Sequence, residues 1–224
     1  MIFKAVIFDL DGTLLYTIDD LHTAMNAMLA DLSFPLADHE TIMKSINCGA
    51  REFVRGCIPE QYRTDEQFID HAYAIYDRHY ARVYADRTKP YPGVTEAAIA
   101  VKKAGLKTAV FSNKQDVMTK ALIEMKFPAG TFDIVFGHPE PGSEIYFPIK
   151  PAPDGALYIA EKLGAKPSET ALVGDSDVDM TLARNAGMIP VGVSWGYRDE
   201  TLLRKYDPAG IVHSGEELVA ILTK

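Results

Sequence analysis

Cysteine is scarce: Cys48 and Cys57 are the two that the 224 residues carry. Their spacing matches neither a CxxC redox pair nor a zinc knuckle, so buried or incidental thiols are expected rather than a disulfide, as in a reducing cytoplasm. Long apolar runs are missing too. None approaches the roughly 20 residues that cross a bilayer, which excludes a helical span and a membrane partner. Basic charge is outnumbered, 23 Lys and Arg against 31 Asp and Glu for a formal net charge of -8. With no Lys/Arg cluster to make a nucleic-acid surface, anionic partners must be captured locally. The opening MIFKAVIFD has a strand pattern and no series of basic, apolar and small-residue segments, so no secretory leader is expected. Internal repeats and low-complexity tracts are absent.

What is present is a chain long enough for a full core, 47% hydrophobic and 24% charged. Short runs rich in Val, Ile and Phe recur: AVIFD ending at Asp9, KTAVFS at Ser112, FDIVFG at Gly137, TALVGD at Asp175 and IPVGVS at Ser194. They read as buried parallel strands. Helical segments alternate with the later ones, three of them closed by Gly105, Gly164 and Gly187 as C-terminal stop signals. This alternation predicts an α/β fold with a doubly wound, Rossmann-like parallel sheet, whose ligands bind at the carboxyl ends of the strands. From Thr17 to Arg87 the pattern is helical only, with Phe68, Ala72, Ile75, His79 and Val83 recurring at three or four residues. An all-helical insertion is expected, so that residues 1–16 and 88–224 form the core and 17–87 a second domain, with Pro90, Pro92 and Gly93 marking the return.

Chemistry concentrates at the strand ends. Asp9 and Asp11 follow the first strand, and residues two apart in an extended strand point the same way. Gly12 lets the backbone turn close to a ligand. A solvated turn is the plain alternative. In TALVGDSDVDM, Asp175 ends a strand while Asp177 and Asp179 open the next helix. Helix capping explains one such acid, but not paired acids at the ends of two strands. If Asp9, Asp11, Asp175 and Asp179 meet, their repulsion demands a cation, and Mg²⁺ suits carboxylates, a carbonyl, waters and a phosphate. Ser112 and Asn113, in VFSNKQD, offer a hydroxyl, an amide and backbone N–H groups near a helix start, an arrangement that serves phosphate or simply caps the helix. Lys150, before Pro151, is the positive neighbour for such an acidic cluster, where an isolated lysine is otherwise a surface charge.

Taken in this order, DxDGT at Asp9 to Thr13, Ser112-Asn113, Lys150-Pro151 and GDSxxD at Gly174 to Asp179 resemble the four motifs of the haloacid dehalogenase-like hydrolases. The helical insertion resembles that superfamily's cap domain, and YPGV at Tyr91 to Val94 with GDSDVDMTLARNAG resembles its phosphoglycolate phosphatase branch. The resemblance implies that Asp9 attacks phosphorus and becomes a transient aspartyl-phosphate. Asp11 would protonate the leaving alkoxide and then take a proton from water. It also implies Mg²⁺ held by Asp9, the Asp11 carbonyl and Asp175, with Asp179 as a further metal-site residue, directly or one shell out. Ser112 and Lys150 would hold the phosphoryl oxygens. Thr13, Asn113 and Arg51 complete the implied substrate-binding set.

The implied cap would cover the strand ends, hinged near Leu15 to Ile18 and Arg82 to Pro90, and set substrate choice. Its loop NCGAREF, Asn47 to Phe53, has Asn47 where relatives carry a glycine. Arg51 there either reads a substrate carboxylate or lies exposed on a helix. The segment GHPEPGSEIYFPIK is longer than usual before the motif lysine and could reach the cap or another subunit, which leaves a homodimer open. His138 is given no role. Tyr73, Tyr76, Tyr80 and Tyr84 are expected to pack within or on the cap. A small phosphorylated metabolite is the implied partner and phosphoglycolate the leading substrate, with inorganic pyrophosphate or a nucleotide monophosphate as variants. A phosphosugar mutase of the β-phosphoglucomutase type and a phosphate-sensing regulatory module are the alternatives.

Overall fold

A computed structural model describes residues 3–46, 49–140 and 142–224. Asn47 and Cys48, on which the expectation for the NCGAREF loop partly falls, lie outside the described residues. Among the described residues there are eight strands: β1 (Ala5–Phe8), β2 (Leu15–Tyr16), β3 (Lys89–Pro90), β4 (Lys107–Gln115), β5 (Ile134–His138), β6 (Thr170–Gly174), β7 (Ile189–Val193) and β8 (Gly210–Val212). The helices are α1 (Ile18–Asp31), α2 (His39–Ser45), α3 (Ala50–Cys57), α4 (Glu66–Val83), α5 (Val94–Lys103), α6 (Asp116–Lys126), α7 (Asp154–Lys162), α8 (Asp177–Asn185), α9 (Glu200–Arg204) and α10 (Gly215–Leu222). Among the described residues, no helix is long and apolar enough to cross a membrane. The chain divides into two compact units, one holding the residues up to Tyr16 with Pro90–Lys224, the other Thr17–Lys89.

In the first unit, six strands form a parallel sheet in the order β5-β4-β1-β6-β7-β8. The short crossovers α5, α6, α7 and α8 follow from the alternating pattern, and α5, α7 and α8 end just before Gly105, Gly164 and Gly187 as expected. Every residue of β1 is buried, as its unbroken AVIF run demands for a central parallel strand. On one face Ile7, Phe111 and Leu172 pack with Ile159, Leu182 and Met188. Each such side chain, once buried, contributes about 1.5–3 kcal/mol. From β1 the chain runs to β4 and β5 on one side, then returns to β6, β7 and β8 on the other. Strand order therefore reverses beside β1, and a ligand crevice belongs at the carboxyl ends of β4, β1 and β6.

Two strands, β4 and β5, run past their expected ends. β4 continues past Ser112 to Gln115, with its register against β5 shifting between Phe111 and Gln115. Ser112 and Asn113 are therefore strand residues, and α6 begins only at Asp116. His138 closes β5 half-buried, and burial pulls its imidazole below the usual histidine range. The long connection after it is anchored within the same unit: Phe147 packs against Phe136 at 5.6 Å and Tyr158 at 5.1 Å between ring centres.

In the helical unit, α1 packs against α4, and α2 and α3 complete the cluster. The buried face of α4 is Ile69, Ala72, Ile75, Tyr76 and Tyr80. Ala72 and Ile75 match the expected stripe, while Phe68, His79 and Val83 are only half-buried because the stripe is rotated toward the tyrosines. Tyr76 and Tyr80 stack at 5.5 Å inside it. Cys57 is a free thiol whose burial pushes its pKa up to about 11, so it is inert at neutral pH. Asp20 is 1% exposed and accepts hydrogen bonds from the Arg87 and Thr88 backbone N–H groups and the Thr88 hydroxyl, tying the two ends of the unit together.

Candidate active site

The first strand ends at Phe8, and the chain turns at once: the N–H groups of Leu14 and Leu15 both donate to the Leu10 carbonyl. Asp9 stays in line with the sheet, its N–H donating to Val173 O at 2.9 Å. Strand alternation therefore does not govern Asp11, and the two acids find different lysines. Lys150 Nζ donates to Asp9 Oδ1 at 2.6 Å and to Asp179 Oδ1 at 2.7 Å, with all three side chains buried. Lys114 Nζ lies 3.1 Å from Asp11 Oδ1, with both side chains largely buried. That approach does not meet hydrogen-bond angles, and Asp11 Oδ1 is a buried acceptor with no hydrogen-bond partner.

Three carboxylates gather around this point. Asp9, Asp175 and Asp179 each bring an oxygen to within 4.8 Å of the others'. Their exposures are 6%, 0% and 1%. Asp175 accepts from Thr13 Oγ1 at 3.2 Å and from the Tyr197 N–H at 2.7 Å. Two glycines make room for it. A side chain at Gly12, whose φ is +85°, or at Gly196 would run into the Asp175 carboxylate. Asp179 is held on both oxygens, by Lys150 and by Ser176 Oγ. The residue that caps α8 is Ser176, accepting from the Asp179 N–H at 3.3 Å. Capping therefore does not account for the acids.

The electrostatics follow from this packing. Burial, then the negative charge of Asp179, drives the Asp9 carboxyl well above the usual range even with Lys150 against it. The same two causes push Asp175 up to about 7. Burial pulls the Lys150 ammonium down, but Asp179 and Asp9 more than offset it and hold its pKa above the ordinary lysine value. Three buried acids against this one lysine leave an excess of negative charge. The donor set is oxygen only, and each carboxylate oxygen already in a hydrogen bond keeps a second lone-pair site. Such a set fits a hard divalent cation.

The remaining expected residues take distinct places. Ser112 is 2% exposed, and its Oγ accepts the Lys114 N–H at 3.2 Å. Asn113, expected to offer its amide to a ligand, instead clamps the lysine loop: Oδ1 accepts from Lys150 N at 2.8 Å and Nδ2 donates to Lys150 O at 3.2 Å. Arg51 belongs to the helical unit, where it pairs with Glu66 and Asp70, each at 2.7 Å. Sequence reasoning missed Lys114, and it missed the loop after β7. There Trp195 Nε1 donates to Thr13 O at 3.0 Å, and Gly196 and Tyr197 close on Asp175.

Buried acids at the ends of neighbouring parallel strands are thus bridged by a lysine. The haloacid dehalogenase-like hydrolase family matches residues 3–187. The phosphoglycolate phosphatase of Nitrosospira multiformis is 32% identical over 223 residues, 99% of this chain and 96% of that protein. The one from Chromobacterium violaceum is 32% identical over 202 residues, 89% of each. A solved structure from Lactobacillus delbrueckii subsp. bulgaricus, assigned provisionally as a phosphoglycolate phosphatase, is 29% identical with a TM-score of 0.89 and 99% coverage of both chains. The chain belongs to the haloacid dehalogenase-like hydrolases, and within them to the phosphoglycolate phosphatase-like phosphatases.

Proposed function

We propose that this enzyme hydrolyses a small phosphomonoester, phosphoglycolate first among them, through a covalent phosphate on Asp9. The observation that carries the reading is the Asp9 carboxylate at the switch point of the sheet, touched by Lys150 and clustered with Asp175 and Asp179. The names of its relatives support the choice of phosphoglycolate. Mg²⁺ fits this donor set. The Asp9 and Asp175 carboxylates and the Asp11 backbone carbonyl would hold it, and it would supply positive charge that offsets the repulsion of an anionic nucleophile and an anionic phosphate.

The chain's own groups divide the rest. Asp9 attacks phosphorus as the bond to the ester oxygen breaks, and Asp11 delivers a proton to that oxygen. Asp11 then takes a proton from the water that cleaves the acyl phosphate, so inorganic phosphate and the alcohol leave and Asp9 is restored. Lys150 and Ser112 hold phosphoryl oxygens, and Asn113 fixes Lys150 by its backbone. Asp179 orients Lys150 from behind. A cytoplasmic setting belongs to the same reading, supported by the free thiol of Cys57.

Phosphate release from phosphoglycolate, a phosphosugar, a nucleotide monophosphate and pyrophosphate, each with Mg²⁺ or with EDTA, tests this directly. Release should require the metal and be most efficient with phosphoglycolate. Release without any divalent ion, or from none of the four, would refute the proposal.

Metal binding should also show in thermal stability. Asp175 is pushed up to about 7, whereas an unfolded aspartate titrates near about 3.9. Between those values the folded, metal-free protein holds more protons than the unfolded chain, so its stability falls as pH rises through the window. A bound cation takes the place of those protons. Added Mg²⁺ should therefore raise the melting temperature more at about pH 8 than at about pH 5, and Asp175→Asn should erase the increment. An increment equal at both pH values would contradict this assignment.

A further inference from the structure

Among the described residues Lys114 and Lys150 are the buried lysines, and the proposed mechanism leaves Lys114 unassigned. Its side chain is 5% exposed, and its ammonium lies 3.1 Å from Asp11 Oδ1. Burying an ammonium is costly unless a negative group meets it. Lys150 cannot take its place, being bonded to Asp9 and Asp179 on the phosphate side of the site. Two residues earlier on the same strand is Ser112, assigned above to the phosphoryl group, whose Oγ accepts the Lys114 N–H at 3.2 Å, so on that reading β4 carries a phosphate ligand and a second cation in a fixed spacing.

Position decides what that cation can touch. If Asp11 protonates the ester oxygen, that oxygen comes within about 2.6–3.2 Å of the Asp11 carboxyl, and the leaving group extends from there. In phosphoglycolate the carboxyl carbon is two bonds, of about 1.5 Å each, beyond the ester oxygen. An ammonium beside Asp11 is thus within reach of the substrate's own carboxylate.

We propose that Lys114 is a specificity-determining residue whose ammonium binds a carboxylate on the leaving group, selecting short phosphomonoesters that carry an acid next to the ester carbon. This rests on the phosphatase reading and goes beyond it by naming the group that recognises the leaving half of the substrate. The plain alternative is that Lys114 serves only as a counter-ion for Asp11.

The two separate when phosphoglycolate is compared with ethyl phosphate, in which a methyl group replaces the carboxylate. The ratio of kcat/KM for the two substrates is measured in the Mg²⁺-loaded wild type, Lys114→Met and Lys114→Arg. Any effect exerted through Asp11 lowers both substrates alike and cancels in the ratio, as does the intrinsic difference between the leaving groups. The ratio should fall at least tenfold in Lys114→Met, the size expected for one charge-assisted hydrogen bond, and fall less in Lys114→Arg. An unchanged ratio, with both rates lowered together, would overturn the proposal. Should Lys114→Met fail to fold, the wild type still decides: 2-aminoethyl phosphate, with a cation in place of the carboxylate, must be a poorer substrate than ethyl phosphate, and equal or better turnover would overturn the assignment. No release from any of these esters would instead refute the phosphatase reading, and this inference with it.

Discussion

Asp9→Asn should lower kcat by on the order of 10⁴-fold or more while leaving the fold intact. The amide has the shape of the carboxylate and can still meet Lys150, but it cannot attack phosphorus. Because burial and Asp179 disfavour the ionised form of Asp9, removing its charge relieves repulsion in the cluster. The metal-free melting temperature of the variant should therefore equal or exceed that of the parent. Phosphate release and thermal melts on the same preparation check both halves. A variant that turns over at the parental rate would show that Asp9 is not the nucleophile.

Lys150→Met should be damaging in a different way. It removes the ammonium that bridges Asp9 and Asp179 and leaves buried acids without their counter-charge. Breaking a buried pair from one side costs about 3–5 kcal/mol, and losing a donor to the phosphoryl oxygens costs roughly 10²–10³ in kcat. The double variant Lys150→Met, Asp179→Asn separates the two effects, because it removes both partners of one contact. It should recover about 1–3 kcal/mol of the stability lost by the single variant while remaining inactive. Strict additivity in denaturant melts would show that Lys150 and Asp179 are not energetically coupled.

Much of this site could be read from the chain. Runs such as AVIF and TALVG are apolar throughout because their strands are buried on both faces, and the acids that interrupt them mark where each strand leaves the core. Asp9 and Asp175 were legible for that reason, and Asp179 from its place in the first turn of the helix that follows. Lys114 was not, since a single lysine between polar residues reads the same whether it is solvated or buried. The Tyr197 contribution is a backbone N–H, and a backbone donor leaves no mark in side-chain composition. Asn113 was visible as a strand-end amide, but its partner is the main chain of a residue 37 positions away. Only the fold brings that pair together. On α4 the periodicity and the Ala72–Ile75 part of the face were right, but toward each end the buried position was a neighbour, because Phe68 and Ile69, or His79 and Tyr80, are adjacent choices that a helical repeat alone does not separate.

The Asn113 clamp has a consequence for how this enzyme can diverge. Lys150 inherits its coordinates from a central strand, through two hydrogen bonds to its own main chain, and Phe147 fastens the approach to the core. Residues 142–145, all exposed, lie ahead of that fastening and take no part in holding Lys150. They form a tract where evolution or an engineer can insert, delete or decorate, while the charge that faces Asp9 stays where the sheet puts it.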